Sequence, residues 1–328
     1  MVKLGVIGYG YWGPNLVRNF FELPNCQIET VADVDIQSLN KLKKYYPAIQ
    51  ATTKPEDILD NQEIDAVLIA TPVSTHFVLA KKALQAGKHV LVEKPMTNSL
   101  KDASELVKLA KKTKKILMVD HTFLYTDAVQ KIKKMIDAGK IGKITYFDSL
   151  RTNLGIFQQD VNVLWDLMAH DISIINYLTS ERPISVTASG VSHTKNGIEN
   201  IAFVVLKYKS GLVAHFNSSW SSPVKIRLIL IGGTKKMIVY DDIEPTEKVK
   251  LYDSNYRVKF LKDNKKLIVD YRTGDIYIPK IELKEGLRNM AEDFINAIIK
   301  KKEPISNANF GLEVVRILSL AEASIKQK

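Results

Sequence analysis

Short apolar runs alternate with amphipathic stretches through the first third of the chain. Residues 3–7, 27–32, 65–70, 89–92 and 116–119 read as strands. DAVLIA at 65–70 and HVLV at 89–92 are nearly unbroken apolar runs, which suits a parallel sheet buried on both faces. Helical periodicity fills the gaps, at about residues 14–21, 75–85 and 99–112. Pro14 fits a first helical turn, where its missing N–H is not needed. Repeated strand–helix–strand order predicts a doubly wound α/β domain over residues 1–121.

The pattern changes after His121. A helix at 127–138 leads to a strand near 145–150, and a second helix covers 165–178. Strands at 185–189, 201–208, 212–220, 225–231 and 237–240 follow, with Ser210-Gly211 and Gly232-Gly233 as turn signals. This predicts a mostly antiparallel sheet with one helical face over residues 122–282. Helical stretches at about 283–300 and 310–325 close the chain. A length of 328 residues also suggests two domains.

Charge narrows the function classes. The net charge is +11, but residues 1–121 carry 16 basic and 13 acidic side chains, residues 122–283 carry 23 and 17, and residues 284–328 carry 8 and 6. A nucleic-acid binder concentrates its charge on one face, so nucleic acid is not an expected partner. The densest run, Lys111-Lys112-Thr113-Lys114-Lys115, falls at a helix end, where lysines favour the dipole. A mildly positive protein still welcomes an anionic small substrate. One cysteine, Cys26, leaves no disulfide framework and no cysteine-rich zinc site. No apolar run approaches the about 20 residues of a membrane helix. The N-terminus runs straight into a glycine turn without the charged region and apolar stretch of a signal peptide, so the expected compartment is the cytoplasm.

Four motifs carry candidate chemistry. Gly8-Tyr9-Gly10-Tyr11-Trp12-Gly13 follows a strand and opens a helix, with Asp33 ending the next strand. That context makes it a dinucleotide fingerprint. Gly8 allows the tight turn, Gly10 leaves room for a pyrophosphate, and Gly13 lets helix and strand pack closely. The helix N-terminus offers N–H groups to phosphates. Asp33 can accept from ribose hydroxyls and repels a 2′-phosphate, and Val34 adds no cation, which favours NAD over NADP. Thr71 and Pro72, then His76, follow a strand at the sheet edge where ligands bind; His76 reads more readily as a helix-start residue than as a catalyst. Glu93-Lys94-Pro95 ends another strand at that edge. Lys94 could steady a developing alkoxide, or be a surface lysine. Asp166 and His170 stand four apart on a predicted helix, so the carboxylate could orient the imidazole as a base. The same spacing also makes a plain helix ion pair. No third metal ligand accompanies them, and no metal is expected.

Together, GVIGYGYWG, ATPVSTH, GKHVLVEKP and the D-x-x-x-H of 166–170 resemble the Gfo/Idh/MocA family of NAD(P)-dependent oxidoreductases, over essentially the whole chain. HTFLY at 121–125 and the stretch at 154–174 are similar to a subgroup of sugar-nucleotide dehydrogenases. The resemblance implies a Rossmann domain followed by a C-terminal α/β domain with a large open sheet. It implies that helices 283–328 return to the Rossmann domain, and that the exposed sheet face forms a homodimer or homotetramer. Lys94 matches the family lysine, and Asp166 and His170 its acid–base pair. NAD is then expected across Gly8–Gly13, Asp33, Thr71, Pro72, His76, Glu93 and Lys94. The implied substrate is a sugar or sugar nucleotide, foremost a UDP-linked N-acetylhexosamine oxidised at its 3-hydroxyl; a free sugar or inositol stands second. Arg151, Asn153, Gln158 and Asn162 are candidate sugar contacts. Val161-Asn162-Val163-Leu164-Trp165 replaces the frequent glycine run before the aspartate, so the sugar loop departs from the pattern. A non-catalytic NAD-binding regulator is the rival reading; the joint presence of Lys94, Asp166 and His170 argues against it.

Overall fold

A computed structural model describes residues 1–155, 157–158, 160–194, 197–261, 266–282 and 284–327. The chain divides into two compact units: Met1–Thr126 with Lys284–Ser319, and Asp127–Leu283 with Leu320–Lys328.

The first unit opens with β1 (Val2–Ile7), α1 (Gly13–Phe21), β2 (Cys26–Ala32), α2 (Ile36–Tyr45), β3 (Gln50–Thr52) and α3 (Glu56–Leu59). It continues with β4 (Ala66–Ile69), α4 (Val73–Gln85), β5 (His89–Glu93), α5 (Leu100–Thr113), β6 (Leu117–Asp120) and a 3₁₀ turn at Thr122–Tyr125. Among the described residues these strands form one parallel sheet in the order β3-β2-β1-β4-β5-β6. β1 and β4 part where the order reverses, and ligands of such sheets bind at the carboxyl ends there. Leu4, Val6, Val67, Leu68, Val90 and Val92 are sealed from solvent, as their apolar runs predict. The short edge strand β3 and helices α2 and α3 were not legible in the residue pattern; β3 spans three residues without an unbroken apolar run. Asp35 caps α2 by accepting from the N–H groups of Gln37 and Ser38, and Ser99 caps α5.

The second unit begins with α6 (Asp127–Asp137) and β7 (Ile144–Leu154). A π-helical turn at Leu164–Met168 then runs into α7 (Ala169–Thr179). The strands that follow are β8 (Pro183–Val191), β9 (Ile201–Tyr208), β10 (Val213–Ser219), β11 (Ser221–Gly233), β12 (Met237–Asp241) and β13 (Val249–Tyr252). β14 (Asn255–Leu261), β15 (Lys266–Arg272) and β16 (Ile276–Tyr277) complete them. Eight strands lie in the order β16-β13-β12-β11-β7-β10-β9-β8, antiparallel except for the pair β7–β10, while β14 and β15 form a separate two-stranded sheet. Burial alternates along the large sheet: Phe147, Phe216, Ala202, Val204, Ile229 and Ile231 point into the core. The opposite face carries the cross-strand row Val205, His215, Asp148, Leu230 and Val239, with His215 Nδ1 2.7 Å from Asp148 Oδ1.

Two helices end the chain, α8 (Gly286–Lys300) and α9 (Ala308–Lys326). Leu283, where the helical reading began, lies outside the described residues. α8 packs on α1 through Phe20 and Phe294, edge to face at 6.2 Å, and Arg18 grips the Glu285 carboxylate at 2.7 and 2.9 Å. The link from α8 to α9 lies along the free edge of β6: Val119 N–H donates to Ser306 O at 2.9 Å, and Met118 bridges Asn307. Covering an edge strand this way removes a template for unwanted pairing.

Candidate active site

The first unit holds a cleft of about 930 Å³ at the carboxyl ends of β1, β4 and β5. The glycine-rich turn forms one wall. Gly8 has φ +101°, and a Cβ there would stand 2.4 Å from Ala70 O, so only glycine fits. Gly13 lies beneath the turn, its missing side chain replaced by Gly8 O. Gly10 lines the cleft with no atom within 4 Å of where a Cβ would be. α1 starts directly after, with proline and no acidic residue in its first turn. Asp33 closes the far end. Its carboxylate accepts the backbone N–H of Tyr9 and, at 2.8 Å, that of Asp35. An open cradle above Gly10, a free helix N-terminus and a rim carboxylate suit a dinucleotide.

Of the sequence-predicted cofactor residues, Gly8, Gly10, Tyr11, Trp12, Asp33, Thr71, Pro72, Glu93 and Lys94 line this cleft. Tyr9 and Gly13 support it from behind. His76 does not reach it. The ring is buried, with Nε2 2.8 Å from Thr71 O and Nδ1 3.0 Å from Pro95 O. His76 therefore ties the turn after β4 to the turn after β5 and is not among the residues that line the cleft. Val34, already read beside Asp33, also lines the cleft, as do Thr53, Pro55, Thr75 and Val78, which were missed. Thr53 and Pro55 follow the unrecognised strand β3, and Val78 lies one helical turn beyond Ser74.

Lys94 sits at the end of β5, before a cis peptide to Pro95. Its N–H donates to Glu93 Oε2 at 3.2 Å. Asp120 is Glu93's register partner on β6. It accepts the Trp12 indole N–H at 3.1 Å and the Thr122 hydroxyl. Burial, then the neighbouring Asp120 carboxylate, holds the Glu93 carboxyl well above the usual range. His121 is fully buried against Phe310. Burial first, then the Lys94 charge, lowers its pKa to about 3, so the ring stays neutral.

Asp166 and His170 belong to the second unit. The predicted continuous α-helix is instead a π turn running into α7, so their four-residue spacing crosses the junction. Such π turns recur at functional sites. Asp166 Oδ2 accepts the Trp220 indole N–H at 3.0 Å, and His170 is half-buried. Two candidate sugar contacts hold side-chain partners within their own unit. Arg151 is buried and grips Asp171 with three hydrogen bonds of 2.7–3.1 Å. Breaking a buried pair of this kind costs about 3–5 kcal/mol, so Arg151 is committed to the fold. Asn162 is buried as well; its amide donates to Glu199 at 2.8 Å and its carbonyl accepts from Trp165 N–H. Asn153 and Gln158 stay half-exposed, in and just after β7. Among the described residues no His, Cys, Asp or Glu cluster could hold a metal ion, and no helix is long and apolar enough to cross a membrane.

Comparison with known proteins gives the site a context. Residues 2–121 match the model of an oxidoreductase family with an NAD-binding Rossmann fold, and residues 129–239 match the GFO/IDH/MocA C-terminal domain. The chain is 30% identical to the UDP-N-acetylglucosamine 3-dehydrogenase of Acidithiobacillus ferrooxidans over 221 residues, 66% of this chain and 67% of that protein. It is 25% identical to a myo-inositol 2-dehydrogenase of Thermotoga maritima over 298 residues, 84% of this chain and 89% of the relative. A solved structure of the A. ferrooxidans enzyme superposes with a TM-score of 0.82 at 25% identity, covering 99% of this chain and 98% of that one.

Proposed function

Because the chain belongs to the Gfo/Idh/MocA family of NAD-binding oxidoreductases, we propose that it oxidises a ring hydroxyl of a sugar, foremost the 3-hydroxyl of a UDP-linked N-acetylhexosamine. The observation that carries this reading is Lys94 on the rim of the dinucleotide cleft, at the end of β5. NAD, held along Gly8, Gly10, Trp12, Asp33, Thr71 and Pro72, supplies the hydride acceptor when bound. Lys94 hydrogen-bonds the reacting oxygen and offsets its developing charge. His170 takes the hydroxyl proton, and Asp166 orients it as the positioning residue. In the same reading the first unit binds the cofactor and the second the substrate, with Asn153 and Gln158 as the remaining candidate sugar contacts. The half-exposed sheet face bearing Phe203, Val213 and Tyr146 joins copies into a homodimer or homotetramer. In the same reading the setting is cytoplasmic; the single thiol, Cys26, is buried.

NAD is preferred over NADP in this reading. Asp33 and the exposed Val34 line the adenosine end of the cleft, so a 2′-phosphate would meet a carboxylate and no cation. Dissociation constants for both cofactors should favour NAD, and Asp33→Ala should narrow the gap. Equal or tighter NADP binding in the wild type would reject the assignment.

The UDP-sugar assignment rests on the 30% identity to the A. ferrooxidans enzyme, and the basic excess of residues 122–283 is consistent with an anionic substrate. The similarity to the T. maritima inositol enzyme carries the second reading, a cyclitol or free sugar. A thermal-shift screen with NAD present separates them, since a ligand of the native state raises Tm. UDP-N-acetylglucosamine should raise it. A shift by myo-inositol alone, with turnover, transfers the assignment to the second reading.

A further inference from the structure

The carboxyl ends of β5 and β6 carry two acids where a dinucleotide cleft needs none. Glu93 and Asp120 are register partners on adjoining strands. Asp120 is 2% exposed, and Glu93 Oε1 is sealed from solvent without a hydrogen-bond partner among the described residues. Two ionised carboxylates in one buried site repel strongly. A proton on Glu93 removes that repulsion and gives Oε1 a hydrogen to donate. The other contacts of the pair reach outward. Asp120 Oδ2 holds the Trp12 indole at 3.1 Å, and Trp12 stands in the glycine-rich turn at the start of α1. Glu93 Oε2 accepts the backbone N–H of Lys94.

We propose that Glu93 and Asp120 share one proton and act as a single positioning unit. Asp120 holds the phosphate-facing turn through Trp12, and Glu93 holds the backbone at Lys94. This one pair, Asp120 buried and Glu93 half-buried at the cleft, thus sets two walls of the cofactor cleft. Sharing a proton also keeps the pair at one negative charge, which matters next to an anionic pyrophosphate. The groups facing the pair are consistent with this. Lys94 supplies the nearby cation, His121 is neutral above about pH 3, and Trp12 and Thr122 are uncharged. Burial and Asp120 raise the Glu93 carboxyl, so the folded chain keeps a proton that the unfolded chain sheds. Stability conferred by the pair is therefore present at acid pH and lost as pH climbs from the usual carboxylate range through the raised one.

The inference rests on NAD binding in the cleft for its positioning half only. Infrared difference spectra of the whole protein at neutral pH test the proton. The wild type should show a protonated-carboxyl band that is absent in Glu93→Gln. In Asp120→Asn the anion opposite Glu93 is gone, and the band should titrate away at lower pH. A wild type without the band, or a band unchanged in Glu93→Gln, overturns the shared proton. NAD dissociation constants test the positioning. Asp120→Ala and Trp12→Phe should each weaken NAD about tenfold, the scale of one lost hydrogen bond to a charged group. The double variant should be no weaker than either single one. Additive losses overturn the link through Trp12. Failure of the wild type to bind NAD would reject the reading of the cleft, while the infrared arm would still decide the pair.

Discussion

Lys94→Ala should lower kcat about 10²–10³-fold, the usual cost of removing one donor aimed at a developing oxyanion. NAD affinity should change only a few-fold. The side chain lines the cleft at the end of β5, while the residues that suit the pyrophosphate and ribose lie in the turn between β1 and α1 and just after β2. A group that acts on the substrate oxygen in the transition state lowers kcat and kcat/KM together when removed. Lys94 also acts on its neighbours. Its charge helps to keep His121 neutral and draws the Glu93 carboxyl downward. In Lys94→Ala the protonated form of Glu93 should persist to still higher pH. Steady-state kinetics and calorimetric NAD titration make the measurement. Near-normal turnover would return Lys94 to a surface lysine that merely ends a strand.

The strands of the first unit were legible because each central one is an unbroken apolar run bounded by turn residues. β4 and β5 are clear cases, each with one continuous buried stretch. The edge was not. β3 has a single half-buried residue among three, and no period can be read from three positions. The strands β13 to β16 also passed unrecognised. β16 has two residues, both exposed, and among the described residues β14 and β15 pair only with each other. β11 was found only in part. Its first half, SSPVK, is polar and exposed around Pro223, and its tie to β7 shifts register there.

The glycine turn was legible because every wall of it is local: Gly8, Gly10, Gly13 and Asp33 lie within 26 residues. Contacts of long sequence separation were not. Trp12 meets Asp120 from 108 positions away, and Arg151 on β7 meets Asp171 on α7, 20 positions on. A polar residue near a catalytic motif in sequence looks like a ligand contact until its partner is seen. Arg151 and Asn162 both hold such partners, Asp171 and Glu199. His76 shows the converse. It misses the cleft, yet it joins the carbonyls of Thr71 and Pro95, the two turns that frame it.

His170→Ala should cost about 10²–10⁴-fold in the rate of alcohol oxidation, the range for a general base. Only a neutral imidazole can accept the hydroxyl proton, so the wild-type rate should rise with pH as His170 loses its own. In the proposed reading Asp166 sets where that limb falls. A carboxylate beside the ring stabilises the imidazolium and moves the limb to higher pH. Asp166 is itself fixed, since the Trp220 indole donates to its Oδ2 and Trp220 is 1% exposed. Asp166→Asn should therefore cost less than the loss of the ring, and should shift the limb to lower pH. Trp220→Phe removes the donor while keeping most of the ring volume, and should move the limb without abolishing it. A structural pair on a helix would move none of these profiles. Rates at saturating NAD for the four proteins across the pH range decide the matter. If His170→Ala keeps both the rate and the ascending limb, another residue is the base, and the Asp166–His170 spacing serves only the junction between the π turn and α7.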